Sequence, residues 1–106
     1  MPINFMKIGN PFFVFLVLAL CSAASKAADI YNGGELYALH CALCHGQSGT
    51  SVMSSAPNFA QGESLMQPDP ALLASIKNGK GAMPSFQGRL SDLEILDVVV
   101  FLRTLN

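Results

Sequence analysis

The sequence has no tryptophan, two tyrosines, two histidines and three cysteines, and only 12% of its 106 residues are charged. Each shortage excludes something. Basic residues do not outnumber acidic ones. From Asp29 onward Lys77, Lys80, Arg89 and Arg103 face Asp29, Glu35, Glu63, Asp69, Asp92, Glu94 and Asp97, four against seven, a net −3. That balance argues against a nucleic-acid partner. No internal repeat, second domain or hairpin turn signal is present, so an antiparallel β fold is not expected. Nor is there a long apolar run. "PFFVFLVLAL", residues 11–20, is uninterruptedly apolar but short of the roughly 20 residues that span a bilayer.

What is there begins with that run. Lys7 precedes it and "SAASKAA", residues 22–28, supplies small residues after it, the order of a secretory signal peptide. Ser22-Ala23-Ala24 and Ser25-Lys26-Ala27 both fit a small-x-small cleavage site, so the cut is left open. An uncleaved N-terminal anchor is one alternative. A lipoprotein at Cys21 is another, although the bulky Leu20 stands where a lipobox wants a small residue. The expected organisation is residues 1–28 as signal peptide and 29–106 as one domain with no membrane span. Removing 28 residues from 106 leaves about 78, a marginal size for an unaided core. Cys41 and Cys44 are then the only thiols. A disulfide between them closes a loop too small to stabilise much, so something larger is expected at this site.

The domain reads as all-α, with three to five short helices. "GGELYALHC", 33–41, is expected to be helical, with Leu36, Tyr37, Leu39 and His40 at helical spacing. Gly46 to Ala56 is loop by composition, and "APNFAQGESLMQ" loop with a helical turn. In "DPALLASIKNG" Asp69 is the expected cap, Pro70 the first helical residue and Gly79 the left-handed end. "GKGAMPSFQGR", 79–89, is a loop. "SDLEILDVVVFLRTL" is the strongest helix signal, with Ser91 and Glu94 in a capping-box pattern and Ile95, Val98, Val99, Leu102 and Leu105 on one face. Its valines favour strand, but the cap and the length favour helix.

Cys41-Ala42-Leu43-Cys44-His45 is CxxCH, the attachment pattern of c-type haem. Two thiols one helical turn apart match the two vinyl groups on one edge of the macrocycle. The next residue then aims an imidazole at the iron. A secretory leader fits, because thioether formation belongs outside the cytoplasmic membrane. A thioredoxin-like dithiol expects a preceding βαβ unit, whereas a helix precedes here. A zinc site needs a fourth ligand with paired spacing, and His40 alone does not provide it. For the sixth position of the iron, Met53 is too near in sequence. Met83 lies 38 residues beyond His45 in "GKGAMPSF", a loop of small residues able to lie flat on the disc. Met83 is therefore the expected ligand. Met66 and an open site are the alternatives, a gap-filling core role is the other use of a lone methionine, and His40 reads as a surface histidine.

With these pieces in this order, the chain resembles the class I monohaem cytochromes c, in particular the small bacterial periplasmic kind, over nearly all of 31–106. "GGELYALHCALCHG" resembles their first helix and haem motif, "APNF" their loop proline, "IKNGKGAMPSF" their methionine loop and "LSDLEILDVVVFLRTL" their last helix. The resemblance implies a cytochrome c fold around one covalently attached haem c per chain. It implies a crossing of first and last helices with Gly33 and Tyr37 against Val98 and Phe101. It also implies a hydrogen bond from the other nitrogen of His45 to the Pro57 carbonyl, which would tune the metal. Two departures stand out. The domain is short, so one family helix is expected to shrink to a turn, and without tryptophan no propionate donor can be named. The implied function is not enzymatic: a monomeric, periplasmic one-electron carrier between redox proteins, with His45 and Met83 on the iron. Such encounters use small interfaces. Ala42, Leu43, Ala82, Met83 and Pro84 are candidates for the apolar rim of an exposed haem edge, with Lys80 beside it. The alternatives are a haem-bearing accessory subunit of a respiratory or denitrification enzyme, and a gas sensor or enzyme with open iron.

Overall fold

A computed structural model describes Gly9, residues 11–20 and 26–106. Half of the proposed leader, including Cys21, the Ser22-Ala23-Ala24 motif and the first residue of Ser25-Lys26-Ala27, lies outside the described residues. The helices are α1 (Pro11–Leu20), α2 (Ile30–His40), α3 (Ala42–His45), α4 (Asp69–Asn78) and α5 (Asp92–Leu102), with a 3-10 turn at Phe59–Gln61. The only β pairing among the described residues is an isolated bridge between Lys80 and Met83. No helix among them is long and apolar enough to cross a membrane.

α2 starts three residues earlier than its apolar pattern suggests. Asp29 is the reason: its carboxylate accepts from the amides of Tyr31 (2.9 Å) and Asn32 (3.2 Å), satisfying donors that a helix start leaves free. Asp97 on α5 then accepts from the Asp29 amide (2.7 Å) and the Asn32 side-chain amide (2.8 Å). Tyr37 is buried and Leu36 half-buried, but Leu39 and His40 face outward, so the inner face of α2 is narrower than its spacing implies.

α4 departs from expectation at its start. Asp69 is the first helical residue and does not cap. The extended Pro68 (φ −68°, ψ 157°) occupies the cap position and offers no side-chain bond. The Asp69 carboxylate is taken by Arg103, whose Nε and Nη2 lie 3.0 and 2.7 Å away. Arg103 also donates to the carbonyls of Leu65 and Gln67 (2.6 and 2.8 Å), so one guanidinium fastens the 65–69 segment to the end of α5. A charged fork is suited to that task. α4 buries Leu72 and Ile76.

α5 realises the capping box: Ser91 Oγ accepts from the Glu94 amide (3.2 Å) and Glu94 Oε1 accepts from the Ser91 amide (3.0 Å). Ile95, Val98, Val99 and Leu102 are buried, while Leu105 lies past the helix end and is half-buried. α5 packs against both α2 and α4.

The α2–α5 crossing is set by Gly33. A Cβ there would overlap the Asp97 carbonyl and press on Phe101 Cβ. Only a residue without a side chain admits this approach, and Tyr37 then tilts its ring against Phe101 at 5.2 Å. Gly33→Ala is expected to force the helices apart and destabilise the protein by about 2 kcal/mol, in the range of overpacked cores. For a domain this size that is a fall of roughly 10 °C in Tm. A thermal melt checks it, and an unchanged Tm would refute the crossing as described.

Candidate haem-binding site

Cys41 ends α2, and the single turn α3 carries Cys44 and His45. The His45 and Cys44 amides both donate to the Cys41 carbonyl (3.0 and 3.2 Å), so both thiols and the imidazole sit on one tight turn. Neither thiol is in a disulfide, and both are half-buried. Burial, with a smaller push from Cys44, raises Cys41 from 9.0 to about 11. A site that disfavours the thiolate suits a sulfur whose end state is an uncharged thioether.

His45 is 7% exposed, the one buried polar residue of the described chain. Its ring stacks on Phe59 with centroids 4.5 Å apart and planes 20° from parallel. Its Nδ1 lies 3.2 Å from the Pro57 carbonyl oxygen. A carbonyl only accepts, so Nδ1 carries the proton and Nε2 keeps its lone pair. That is the tautomer in which Nε2 can serve as a metal ligand. The stack on Phe59 was not read from the sequence; its only trace is the aromatic two residues after Pro57. The amides of Val52 and Met53 return to the Cys44 carbonyl (3.0 and 3.1 Å), which fixes the loop between His45 and Pro57.

Met83 sits in a turn closed by reciprocal bonds between Lys80 and Met83 (3.1 and 3.0 Å). It is half-buried and packs against the same apolar cluster as Cys41 and Ala42. The loop is tied to α4: Phe86 and Gln87 amides donate to the carbonyls of Ile76 and Lys77 (3.3 and 3.0 Å), and Ser85 Oγ donates to Lys77 as well (2.7 Å). Phe86 is buried, with Arg89 over its ring at 5.0 Å and the edge of His40 at 5.9 Å. His40 is thus exposed on α2 and leans on the methionine loop, which brings that loop beside the thiol turn. By contrast Met66 is 96% exposed. Among the described residues no group of three His, Cys, Asp or Glu side chains is placed to hold a metal ion.

Leu43, Ala82 and Pro84 are exposed, and Ala42 and Met83 half-buried. These apolar residues flank the thiol turn and the methionine loop. Two half-buried sulfurs one turn apart, a buried imidazole with one free nitrogen and a half-buried thioether on an apolar cluster fit a covalently held metal macrocycle.

A family model described as "Cytochrome C oxidase, cbb3-type, subunit III" matches residues 28–102. The chain is similar to cytochrome c6 of Thermosynechococcus vestitus, with 35% identity over 89 residues, covering 80% of this chain and 78% of that one. It is also 35% identical to cytochrome c6 of a Synechocystis species over 104 residues, 92% of this chain and 83% of the other. Among solved structures, that of cytochrome c6 from the diatom Phaeodactylum tricornutum superposes with a TM-score of 0.59 at 27% identity, covering 72% of this chain and 92% of that one.

Proposed function

The chain belongs to the class I monohaem cytochromes c, and on that premise we propose that Cys41 and Cys44 hold the haem by thioethers, His45 Nε2 and the Met83 sulfur ligate its iron, and residues 1–28 direct the chain to the periplasm. The protein carries one covalently bound haem c and moves single electrons between redox proteins; it is a carrier and not an enzyme. The accessory-subunit and open-iron readings are not favoured.

The observation that carries the site assignment is the His45 ring, buried, stacked on Phe59 and held by Pro57 through Nδ1, which leaves Nε2 as the nitrogen with the lone pair, on the same turn as the two free thiols. Bound haem supplies an iron centre that takes one electron from a donor protein and passes it to an acceptor. The residues of this chain govern how that happens. Pro57 orients His45 and strengthens it as a donor through the Nδ1–H bond. The soft thioether of Met83 favours the ferrous state. Leu43 and Pro84 present apolar surface for brief docking and keep water from the cofactor edge.

An absorption spectrum of the secreted protein in both oxidation states, with and without carbon monoxide, tests the site. The expected result is a low-spin c-type spectrum that carbon monoxide leaves unchanged. Fast carbon monoxide binding would instead mean that no protein side chain closes the sixth position.

A second measurement addresses the leader. Mass spectrometry of protein from its own host is expected to give an N-terminus between Ser25 and Ile30 and one added haem. An intact Met1, or a lipid on Cys21, refutes the periplasmic leader.

A further inference from the structure

We infer that the Tyr37 hydroxyl is a positioning group for the His45 turn, acting through the carbonyl of Gly46. The inference rests on His45 being an iron ligand. Tyr37 is 1% exposed, and its ring fills the α2–α5 crossing against Phe101. A phenylalanine would fill that space equally well, so packing alone does not account for the hydroxyl. The O–H donates to the Gly46 carbonyl at 2.6 Å. Burial, with a smaller contribution from Cys41, lifts the Tyr37 hydroxyl to about 12, so it stays a donor through the physiological range.

Gly46 directly follows His45 and begins the loop that ends at Pro57. Its backbone (φ 79°, ψ 152°) is one that L side chains rarely adopt, and a Cβ there would overlap the Thr50 carbonyl. The same Gly46 carbonyl accepts from the Gly49 amide at 3.3 Å. The hydroxyl therefore grips the one peptide from which the loop departs. The loop returns through Val52 and Met53 to the Cys44 carbonyl and presents Pro57 to the His45 ring. Tyr37 thus couples the rigid helix crossing to the angle at which His45 meets Pro57.

The test uses the haem-loaded protein and two variants. Tyr37→Phe removes the hydroxyl and keeps the ring. Phe101→Leu loosens the same crossing and leaves the hydroxyl in place. Hydrogen exchange of the His45 ring N–H and of the Gly49, Val52 and Met53 amides is followed by NMR, and the reduction potential is measured. Tyr37→Phe is expected to speed ring N–H exchange by about tenfold, the scale of one buried hydrogen bond. It is also expected to raise the potential, since a weaker bond to Pro57 leaves a less basic imidazole. Phe101→Leu, which leaves the hydroxyl bonded to Gly46, is expected to lower global stability and to shift ring N–H exchange and potential clearly less than Tyr37→Phe does. Unchanged exchange and potential in Tyr37→Phe, or equal changes in the two variants, would overturn the inference. Failure of the ligand assignment is separately visible: the His45 ring protons of the parent would then lack the large shifts of an iron-bound imidazole.

Discussion

Replacing Cys41 and Cys44 together with alanine is expected to give a secreted chain that holds no haem and does not fold. Eleven apolar side chains make up the buried core of the described chain, from Tyr37 on α2 to Leu102 on α5. That is a thin core for a domain of about this length, where burial barely offsets the entropy of ordering the chain. Around the site the polypeptide leaves apolar surface uncovered: Leu43 is 89% exposed, and Cys41, Ala42 and Met83 are only half-buried. A covalently attached apolar disc covers such surface and links the thiol turn to the methionine loop. Without it, those two segments meet through the ring contact of His40 with Phe86 and the apolar cluster on which Cys41, Ala42 and Met83 pack. Far-UV circular dichroism of the double variant is expected to lose more than half of the helical signal. Cys44→Ala alone should keep one thioether at most, with a sharply lower yield. A stable, helical, haem-free double variant would show that the polypeptide core suffices by itself.

What the sequence discloses about this protein is mostly what is local in it. CxxCH is legible because its geometry is confined to one turn, and the turn closes on the Cys41 carbonyl as that spacing demands. The capping box of α5 is legible because Ser91 and Glu94 are three residues apart and bond only to each other's backbone. The failures are contacts between distant residues. α2 begins at Ile30 because Asp29 caps it and Asp97, 68 residues away, holds Asp29. No helical periodicity contains that bond. Asp69 has the composition of a cap but is claimed by Arg103, 34 residues on. Phe59 stacks on His45, and Tyr37 reaches Gly46, through folding of a loop whose sequence shows only that it is loop. The resemblance to a family supplied one distant contact that periodicity could not, the approach of Pro57 to His45, and the two atoms lie 3.2 Å apart. It named the glycine of the helix crossing as well, although the atom nearest a Cβ on Gly33 belongs to the Asp97 backbone and not to Val98.

Met83→His is expected to lower the reduction potential by on the order of 0.2 V, part of the roughly 0.8 V that axial ligands command across haem proteins. The thioether of methionine is neutral, soft and a weak donor, so it stabilises the ferrous state relative to imidazole. Haem should remain attached in this variant, because Cys41 and Cys44 lie on a different turn, and the loop is held to α4 through Phe86 and Gln87 whatever stands at position 83. Met83→Ala is expected to act differently. It takes away the one half-buried methionine among the described residues, which packs on the same apolar cluster as Cys41, so reduced protein should bind carbon monoxide readily where the parent does not. Met66→Ala is the decisive control: that side chain is 96% exposed, and moving it onto the iron would require its loop to detach from Arg103, which bonds the carbonyls of Leu65 and Gln67 on either side of it. Met53→Ala serves likewise, since the Met53 amide is tied to the Cys44 carbonyl behind the thiol turn. Potential and carbon monoxide binding measured across the four variants and the parent separate the possibilities. If Met83→Ala leaves both at the parent's values while Met66→Ala changes them, the ligand is Met66 and the 65–69 segment must rearrange when haem is present. If the parent itself takes up carbon monoxide quickly, the sixth position is open and Met83 is a packing residue.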